Sequence, residues 1–509
     1  MNSARETLAI GIAGAGAMGR GIAQIAALSG MQVMLFDTDE KALAGAITYI
    51  TDMINRSAAK GKIPADRAAK ACSLIKKADS MNDFSSCDLV IEAIIENLEL
   101  KKKVLAAIEN IVADDCILAT NTSSLSVTAL ASVCRDPKRV AGFHFFNPVP
   151  LMKLVEVVRG LATGEQTINR LVDIALKMDH TPVVTKDTPG FIVNHIGRAY
   201  GTESLALLSE GIADAHQIDR ILRDAAGFKM GPFELFDLTG LDISHTATEA
   251  IYNQFYQDPR FRPSYITRTR LDAGFLGRKS GKGFYDYEQG KPVEREQVRT
   301  TTVAGRINMH VWVDTANAAG YNVLTGYLLA QGVHVDTGSK PEEDSLIVVS
   351  PIAGDATTAA LTAKVDASRV IGVDTLMGFD KHRTIMTTPA TSQHSRELGE
   401  LLFGQDGVPV DTINDSPGFI TGRVLAMIVN TGCNAAEKGT ASTRDVDLAV
   451  KLGLGYPLGP LEWGDAIGAA KVLDILDFLY HFYGDPRYRP TPWLKRRAQL
   501  GIPLTREPS

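Results

Sequence analysis

Short apolar runs alternate with helical patterns of apolar and polar positions over residues 8–190. Continuous apolar runs of a few residues predict strands, and an apolar position every three or four residues predicts a helix. Six strands are predicted, at residues 8–13, 32–36, 89–93, 117–120, 140–145 and 154–158. Because alternating strands and helices bury both faces of a sheet, the pattern predicts a parallel, doubly wound α/β sheet.

From about residue 191 the pattern becomes mainly helical, with helices predicted at 194–210, 216–225 and 242–256. This segment predicts an all-helical second domain that ends near Tyr287. Two motifs, one at the start of this segment and one within it, recur later. Asp187-Thr-Pro-Gly-Phe-Ile returns as Asp415-Ser-Pro-Gly-Phe-Ile, and Met230-Gly-Pro-Phe-Glu returns as Leu458-Gly-Pro-Leu-Glu, both at an offset of 228 residues. Spaced matches at one offset indicate that the whole helical domain is duplicated.

The segment between the two copies contains Arg369-Val-Ile-Gly, which resembles Arg139-Val-Ala-Gly at a similar offset. This match favours a shortened, degenerate α/β copy of the first domain, and an unrelated α/β insertion is the alternative. The predicted domains are therefore residues 1–190, 191–289, 290–410 and 411–509.

Composition and charge exclude several classes of protein. The net charge of −6 gives no concentrated basic surface for a nucleic acid, and the basic run Lys101-Lys-Lys is expected on a solvated helix face. No segment reaches the ~20 apolar residues of a membrane span. Five cysteines without a paired spacing favour a reducing compartment. Because the first strand begins by about Leu8, we expect no signal peptide and a cytoplasmic location.

A glycine-rich turn follows the first predicted strand. Gly14-Ala-Gly16-Ala-Met-Gly19 lies between this strand and a predicted helix, which is the context of a dinucleotide-binding Rossmann domain. The glycines allow the backbone to approach a pyrophosphate, and the helix N-terminus favours the negative charge. Asp37 ends the next strand, where a carboxylate accepts both ribose hydroxyls and repels a 2′-phosphate. The pattern therefore predicts NAD rather than NADP.

His144 and Glu156 are the predicted acid–base pair. Glu156 shares one face of its strand with apolar residues, so its carboxylate needs a partner. Pro148 and Pro150 lie between the two runs and can reverse the chain, which would bring the two side chains together. An imidazole can take the proton of an alcohol as hydride leaves. A structural histidine is the alternative.

Small polar side chains follow another predicted strand at Asn121-Thr-Ser123-Ser124. Such side chains line the ligand crevice of an open α/β sheet. A helix N-cap at Ser124 or Ser126 is the alternative. The other histidines have no metal-ligand spacing and are expected to be structural, so no metal site is predicted.

Together these motifs resemble the 3-hydroxyacyl-CoA dehydrogenase family, in order, over residues 8–287. The motifs are the glycine turn, Asp88-Leu-Val-Ile-Glu-Ala, Asn121-Thr-Ser-Ser-Leu, Gly142-Phe-His-Phe-Phe-Asn-Pro-Val-Pro, Met152-Lys-Leu-Val-Glu-Val, Asp187-Thr-Pro-Gly-Phe-Ile-Val-Asn194 and Gly277-Arg-Lys-Ser-Gly-Lys-Gly-Phe-Tyr.

The resemblance implies NAD-dependent oxidation of an (S)-3-hydroxyacyl-CoA and a role for each matching residue. His144 would be the base and Glu156 its partner. Ser123 would bind the substrate hydroxyl, Asn194 would position the reacting oxygen, and Glu96 would lie near the nicotinamide ribose. Arg56 and Lys60 would bind the phosphates of coenzyme A, with a solvated helix face as the alternative.

The chain length and second helical domain resemble longer bacterial members, including those that oxidise 3-hydroxyadipyl-CoA in phenylacetate degradation. A 3-hydroxybutyryl-CoA dehydrogenase of short-chain fatty acid metabolism is the alternative. A noncatalytic acyl-CoA or nucleotide-binding protein is disfavoured because His144, Glu156, Ser123 and Asn194 are all present. A fused enoyl-CoA hydratase is also disfavoured, because no unassigned stretch is long enough for its domain.

The second copy departs from the family pattern at its functional positions. Asp374 or Gly372 stands at the position of His144, and Gly422 stands at that of Asn194. We therefore expect one active site per chain. Shorter family members resemble residues 8–287 and form dimers through their helical domains. Residues 411–509 are expected to dock on residues 191–287 as an internal pseudo-dimer, and any further homo-oligomer would use another surface, such as residues 290–410.

Overall fold

A computed structural model describes residues 7–293 and 309–507 of the chain. The chain forms two compact units. The first contains Met1–His195 and Lys438–Leu454, and the second contains Ile196–Glu437 and Gly455–Ser509.

The first unit is built around an eight-stranded sheet with the order β3-β2-β1-β4-β5-β6-β7-β8. Its strands are β1 (Ala9–Ala13), β2 (Gln32–Phe36), β3 (Ile75–Lys77), β4 (Leu89–Glu92), β5 (Ile117–Thr120), β6 (Val140–Phe145), β7 (Leu154–Arg159) and β8 (Thr181–Lys186). Its helices are α1 (Ala17–Leu28), α2 (Glu40–Ala59), α3 (Ala65–Leu74), α4 (Leu98–Glu109), α5 (Val127–Ala131) and α6 (Glu165–Lys177), and α7 (Val193–Ser209) begins at its end.

Both faces of this sheet are covered, as the alternation of strands and helices predicts. Val90 and Ile91 are consecutive on β4 and therefore point to opposite faces. Ile91 packs in a core cluster with residues of α1 and α2, and Val90 packs in a second cluster with residues of α4 and α5. The doubly wound α/β fold is confirmed.

One strand of the sheet runs against its neighbour. The paired strands are parallel except β7, which is antiparallel to β6. The chain reverses between these strands in the segment that holds Pro148 and Pro150. The reversal brings His144 on β6 opposite Glu156 on β7.

The second unit contains a six-stranded sheet with the order β12-β11-β13-β14-β15-β16 and a two-stranded hairpin. Its strands are β9 (Tyr287–Glu288), β10 (Lys291–Pro292), β11 (His310–Val313), β12 (His334–Asp336), β13 (Leu346–Val349), β14 (Val370–Val373), β15 (Arg383–Thr387) and β16 (Val410–Asn414). The antiparallel pairing of β6 with β7 recurs here between β14 and β15. This sheet is the α/β segment predicted between the two helical copies.

The remaining helices, in chain order, are α8 (Ala215–Arg220), α9 (Pro232–Thr239), α10 (Leu241–Gln254), α11 (Tyr265–Asp272), α12 (Ala318–Ala330), α13 (Ala356–Ala363), α14 (Gln393–Gly404), α15 (Thr421–Glu437), α16 (Thr443–Leu454), α17 (Pro460–Ile467), α18 (Ala469–Tyr483) and α19 (Pro492–Leu500). The later segment of the first unit holds α16, and the others belong to the second unit.

The repeated Gly-Pro-x-Glu motif starts a helix in the same way in both copies. Gly231 N–H donates to Glu234 Oε2 at 3.1 Å at the start of α9. Gly459 N–H donates to Glu462 Oε2 at 2.9 Å at the start of α17. In each copy the glutamate satisfies a backbone donor that the first helical turn leaves unpaired.

Candidate active site

The glycine turn between β1 and α1 is shaped by close backbone contacts. Gly14 has a φ of +112°, and a Cβ there would lie 2.5 Å from the carbonyl oxygen of Ala93. A Cβ on Gly19 would lie 1.8 Å from the oxygen of Gly14, so neither position accepts a side chain. In front of Gly16, which caps α1 without a side-chain hydrogen bond, the space is open. A pyrophosphate fits this bare helix N-terminus.

Asp37 connects the end of β2 to this glycine turn. Its Oδ2 accepts a 2.7 Å hydrogen bond from the backbone N–H of Ala15, and its Oδ1 accepts one of 2.9 Å from Asp39 N–H. These bonds fix the carboxylate beside the turn. Each oxygen keeps a lone pair that can accept a ribose hydroxyl.

Glu96 follows β4, and its Oε1 accepts several hydrogen bonds from the Asn121-Thr-Ser-Ser segment that follows β5. The Thr122 hydroxyl donates at 2.7 Å and the Ser123 hydroxyl at 3.2 Å. The backbone N–H groups of Ser123 and Ser124 donate at 2.9 and 3.0 Å. Glu96 therefore holds Ser123 in place, a connection that sequence reasoning did not predict.

Lys101 corrects one expectation. It is buried rather than on a solvated face, and its Nζ lies 2.8 Å from Glu92 Oε1 and 3.4 Å from Glu96 Oε2. Glu92 and Lys101 are both buried in the first unit, and their opposite charges compensate each other. Burial alone would raise the pKa of the Glu96 carboxyl, but the charge of Lys101 and the hydrogen bonds from the polar segment hold this pKa below its usual value.

His144 and Glu156 form a buried hydrogen-bonded pair. Nδ1 of His144 lies 2.7 Å from Glu156 Oε2, and both residues are buried. The imidazole packs against the rings of Phe146 and Phe191, with centroids 4.5 and 5.7 Å away. With the carboxylate accepting from Nδ1–H, Nε2 is the atom that can accept a proton.

The second oxygen of Glu156 accepts two backbone hydrogen bonds. Ile192 N–H and Val193 N–H donate to Oε1 at 2.9 and 3.0 Å. These donors are at the start of α7, and Asn194 is the next residue of the same helix. The carboxylate thus links the base to the helix that carries Asn194.

Asn121 is a further site residue, beyond those that the sequence predicts. Its side-chain oxygen accepts a 2.8 Å hydrogen bond from the backbone N–H of Phe145, the residue after His144. Asn121 therefore ties the segment of Ser123 to the strand of the base. Its position directly after β5, in a run of small polar residues, is the signal that could have identified it.

Arg56 and Lys60 lie at the end of α2, separate from these contacts. Arg56 is in the last turn, and Lys60 caps the helix. Both side chains are exposed. Within residues 7–293 and 309–507 neither forms an ion pair, so both charges face solvent.

The second copy contains different groups at the equivalent positions. The backbone N–H of Asp374 donates to the carbonyl oxygen of Thr384 at 3.0 Å, so these two residues continue the β14–β15 pairing. They occupy the place in that pairing that His144 and Glu156 occupy between β6 and β7. The Asp374 side chain accepts a hydrogen bond from Thr421, and its burial raises its pKa to about 6. An imidazole–carboxylate pair is therefore absent at this position.

Models of known protein families match most of the chain. The model of the 3-hydroxyacyl-CoA dehydrogenase NAD binding domain matches residues 9–188. The model of the C-terminal domain of the same family matches residues 190–287 and again residues 418–504. The chain thus has the NAD-binding domain of this family and two copies of its C-terminal domain.

Two bacterial relatives are similar to the chain in sequence, one over nearly its whole length and one over about half of it. The chain is 37% identical over 491 residues to the 3-hydroxyadipyl-CoA dehydrogenase of Escherichia coli K12, covering 96% of this chain and 97% of that protein. A probable 3-hydroxybutyryl-CoA dehydrogenase of Bacillus subtilis is 39% identical over 284 residues, covering 56% of this chain and 99% of that protein.

The crystal structure of a 3-hydroxybutyryl-CoA dehydrogenase from Escherichia coli K12 superimposes with a TM-score of 0.84 at 34% identity, covering 97% of this chain and 99% of that one. Sequence models, full-length relatives and fold therefore lead to one conclusion. The chain belongs to the 3-hydroxyacyl-CoA dehydrogenase family.

Proposed function

We propose that the chain oxidises an (S)-3-hydroxyacyl-CoA to the 3-oxoacyl-CoA with NAD as the hydride acceptor. The observation that carries this proposal is the buried His144–Glu156 pair, with Nδ1 and Oε2 2.7 Å apart, in the same unit as the glycine turn. A base held in one tautomer beside a dinucleotide site suits the oxidation of an alcohol.

In the proposed mechanism Nε2 of His144 takes the proton of the 3-hydroxyl, and a bound NAD would supply the hydride acceptor for C3. Glu156 keeps Nδ1 protonated and stabilises the imidazolium that forms. The Ser123 hydroxyl binds the substrate oxygen, and Asn194 positions the same oxygen from the start of α7. Gly14, Gly16, Gly19, Asp37 and Glu96 form the NAD site.

Coenzyme A phosphates are proposed to bind Arg56 and Lys60. The support is that these two cations are one helical turn apart at the end of α2 and both are exposed. Phosphates bound to such residues gain charge-assisted hydrogen bonds.

The acyl group is proposed to be 3-hydroxyadipyl, in phenylacetate catabolism, because the full-length relative with 37% identity carries that name. The alternative is 3-hydroxybutyryl-CoA, in fatty acid metabolism and β-oxidation, which the superimposed crystal structure favours. The described residues contain no helix that meets the length and hydropathy of a membrane span. We propose a cytoplasmic location.

A substrate panel tests the reaction and the acyl group together. NADH formation would be followed with (S)-3-hydroxybutyryl-, 3-hydroxyhexanoyl- and 3-hydroxyadipyl-CoA. We expect the adipyl substrate to have the highest kcat/KM, by about tenfold or more, since a site that pairs the terminal carboxylate discriminates against chains that lack it. Turnover of none of them would refute the reaction class, and a preference for butyryl would establish the alternative.

We further propose four domains, at residues 1–190, 191–289, 290–410 and 411–509, with the last docking on the second as an internal pseudo-dimer. The support comes from residues at equivalent repeat positions in the second unit. Phe228 and Tyr456 are 228 residues apart, and their ring centroids are 4.9 Å apart. A residue that contacts its own equivalent lies on a two-fold axis.

Paired backbone contacts support the same arrangement. In the first unit Lys186 N–H donates to the oxygen of Thr440 at 2.8 Å. In the second unit Asn414 N–H donates to the oxygen of Ile212 at 2.9 Å. Asn414 is the repeat equivalent of Lys186, and Thr440 is the repeat equivalent of Ile212. The same hydrogen bond is therefore made twice, once with each copy as the donor. Such reciprocity is the mark of a two-fold interface.

Because the second copy lacks an imidazole–carboxylate pair at Asp374 and Thr384, we propose one active site per chain. Calorimetric titration with NADH would count the sites, and we expect one per chain. Two equivalent NADH sites would contradict the assignment.

A further inference from the structure

Two histidines and an aspartate converge at the edge of the six-stranded sheet. His310 on β11 and His334 on β12 are paired in register, and their ring centroids are 4.4 Å apart. Asp336 is two residues beyond His334, so it projects from the same face of β12. Its Oδ1 lies 3.5 Å from His310 Nδ1 and 4.0 Å from His334 Nε2. One ligand atom from each residue lies within 4.8 Å of the others.

The two oxygens of the Asp336 carboxylate differ in their hydrogen bonding. Its Oδ2 accepts hydrogen bonds from the Ser345 hydroxyl and from the backbone N–H of Glu342. Its Oδ1 is buried and accepts no hydrogen bond from any residue that the structure describes. A buried carboxylate oxygen without a donor is costly. The two imidazole nitrogens that face it lie 3.5 and 4.0 Å away and form no hydrogen bond with it, so a group between the three would satisfy all of them.

A fourth potential ligand is adjacent. Glu342 Oε2 lies 3.1 Å from His310 Nδ1. Ligand atoms bound to one tetrahedral zinc ion are about 3.3 Å apart, and the spacings to His310 are close to this value. The side chains of His310 and His334 are 46% and 61% exposed. Small rotations of these rings would complete the geometry, and an ion could enter from solvent.

We propose that His310, His334 and Asp336 bind a divalent transition-metal ion, with zinc as the best match and Glu342 or water as the fourth ligand. Imidazole nitrogens with carboxylate oxygens suit zinc, whereas magnesium and calcium require sites made mainly of oxygen. The bonds from Ser345 and Glu342 orient the aspartate as outer contacts orient metal ligands. The ion would join β11 and β12 to the segment that follows β12, and it would stabilise this sheet edge.

Zinc titration of the full-length, tag-free protein tests the proposal. Wild type and a His310→Gln/His334→Gln variant would be freed of metal with a chelator and titrated with Zn²⁺ by calorimetry. The matched control is His394→Gln, an exposed histidine on α14. We expect one tight site per chain in wild type and control, and binding at least about tenfold weaker in the double variant. Equal affinity in wild type and double variant would overturn the proposal.

A stability measurement gives an independent readout. Because an ion that binds only the folded state raises its stability, saturating Zn²⁺ should raise the Tm of wild type and control but not of the double variant. Circular dichroism of the metal-free proteins checks their folding. An identical Tm rise in all three proteins would refute binding at this cluster, since the rise would then come from elsewhere.

Discussion

Glu156 lies directly across the β6–β7 ladder from His144, and its Oε2 is 2.7 Å from the imidazole Nδ1. This pairing predicts that His144→Gln or Glu156→Gln lowers kcat by about 10²–10⁴-fold, the usual contribution of general-base catalysis. NADH affinity should change little. Steady-state kinetics and NADH fluorescence titration would measure both. A variant with near-normal kcat would remove the assigned role.

Cofactor choice follows from Asp37, because its carboxylate would repel a 2′-phosphate. We expect a kcat/KM with NAD at least about a hundredfold above that with NADP, since juxtaposed like charges cost several kcal/mol. Asp37→Ser should reduce this ratio. Asp52→Ser, an exposed aspartate on α2, is the control and should leave it unchanged. Equal use of both cofactors by wild type would contradict the assignment.

Coenzyme A recognition is tested by the double variant Arg56→Ala/Lys60→Ala. Loss of two charge-assisted hydrogen bonds should raise KM for the acyl-CoA by about tenfold or more. KM for an acyl-pantetheine thioester, which lacks the nucleotide phosphates, should not change. Lys70→Ala, an exposed cation on α3, is the control. Equal losses on both substrates would indicate a folding defect instead.

A buried ion cluster joins α7 and α15. Arg423 on α15 and Glu203 on α7 are both fully buried, and Glu203 Oε2 also lies 2.8 Å from Arg487. Arg423→Met would leave the carboxylate short of one cation, which typically costs 3–5 kcal/mol. We expect a large drop in Tm, partly recovered by adding Glu203→Gln. Arg268→Ala, which breaks an exposed pair with Asp272, should have little effect. Similar Tm values for Arg423→Met and Arg268→Ala would contradict the interpretation.

Asp374 predicts a pH dependence of stability. Burial raises its folded pKa to about 6, above the unfolded value of about 3.9. The folded state therefore binds the proton of Asp374 more tightly than the unfolded state. The resulting contribution to the free energy of unfolding is fully present below about pH 4 and is lost as the pH rises through about 6. Asp374→Asn should become more stable relative to wild type between pH 4.5 and 7.5, by on the order of 2 kcal/mol. A difference in Tm that does not vary with pH would refute the assignment.

Strong apolar runs made most of the first sheet predictable. The predicted bounds of β2, β5 and β6 agree with the structure, because each is a mainly apolar run that is followed by polar or turn residues. β3 was missed since Ile75-Lys-Lys holds one apolar residue. β8 was missed since Pro182 weakens a strand pattern, and the structure tolerates it at the edge of the sheet.

Side-chain environments were less predictable than strands. The burial of Lys101 depends on Glu92, which lies on another element, so a run of three lysines gave the wrong prediction. His310 and His334 are 24 residues apart, and only the pairing of β11 with β12 brings them together. His144 and Glu156 could be paired in advance because a single reversal joins their strands.

The contact between Phe228 and Tyr456 also bears on how this chain could evolve. In a homodimer any substitution at such a position appears on both sides of the axis, so the residue must be compatible with itself. Here the two sides are encoded separately and have diverged to phenylalanine and tyrosine. Arg423 and Glu203 likewise have His195 and Thr431 at their repeat equivalents. Two copies of one domain within a single chain can therefore acquire asymmetric pairings, one mutation at a time, that a pair of identical subunits could not acquire on one side alone.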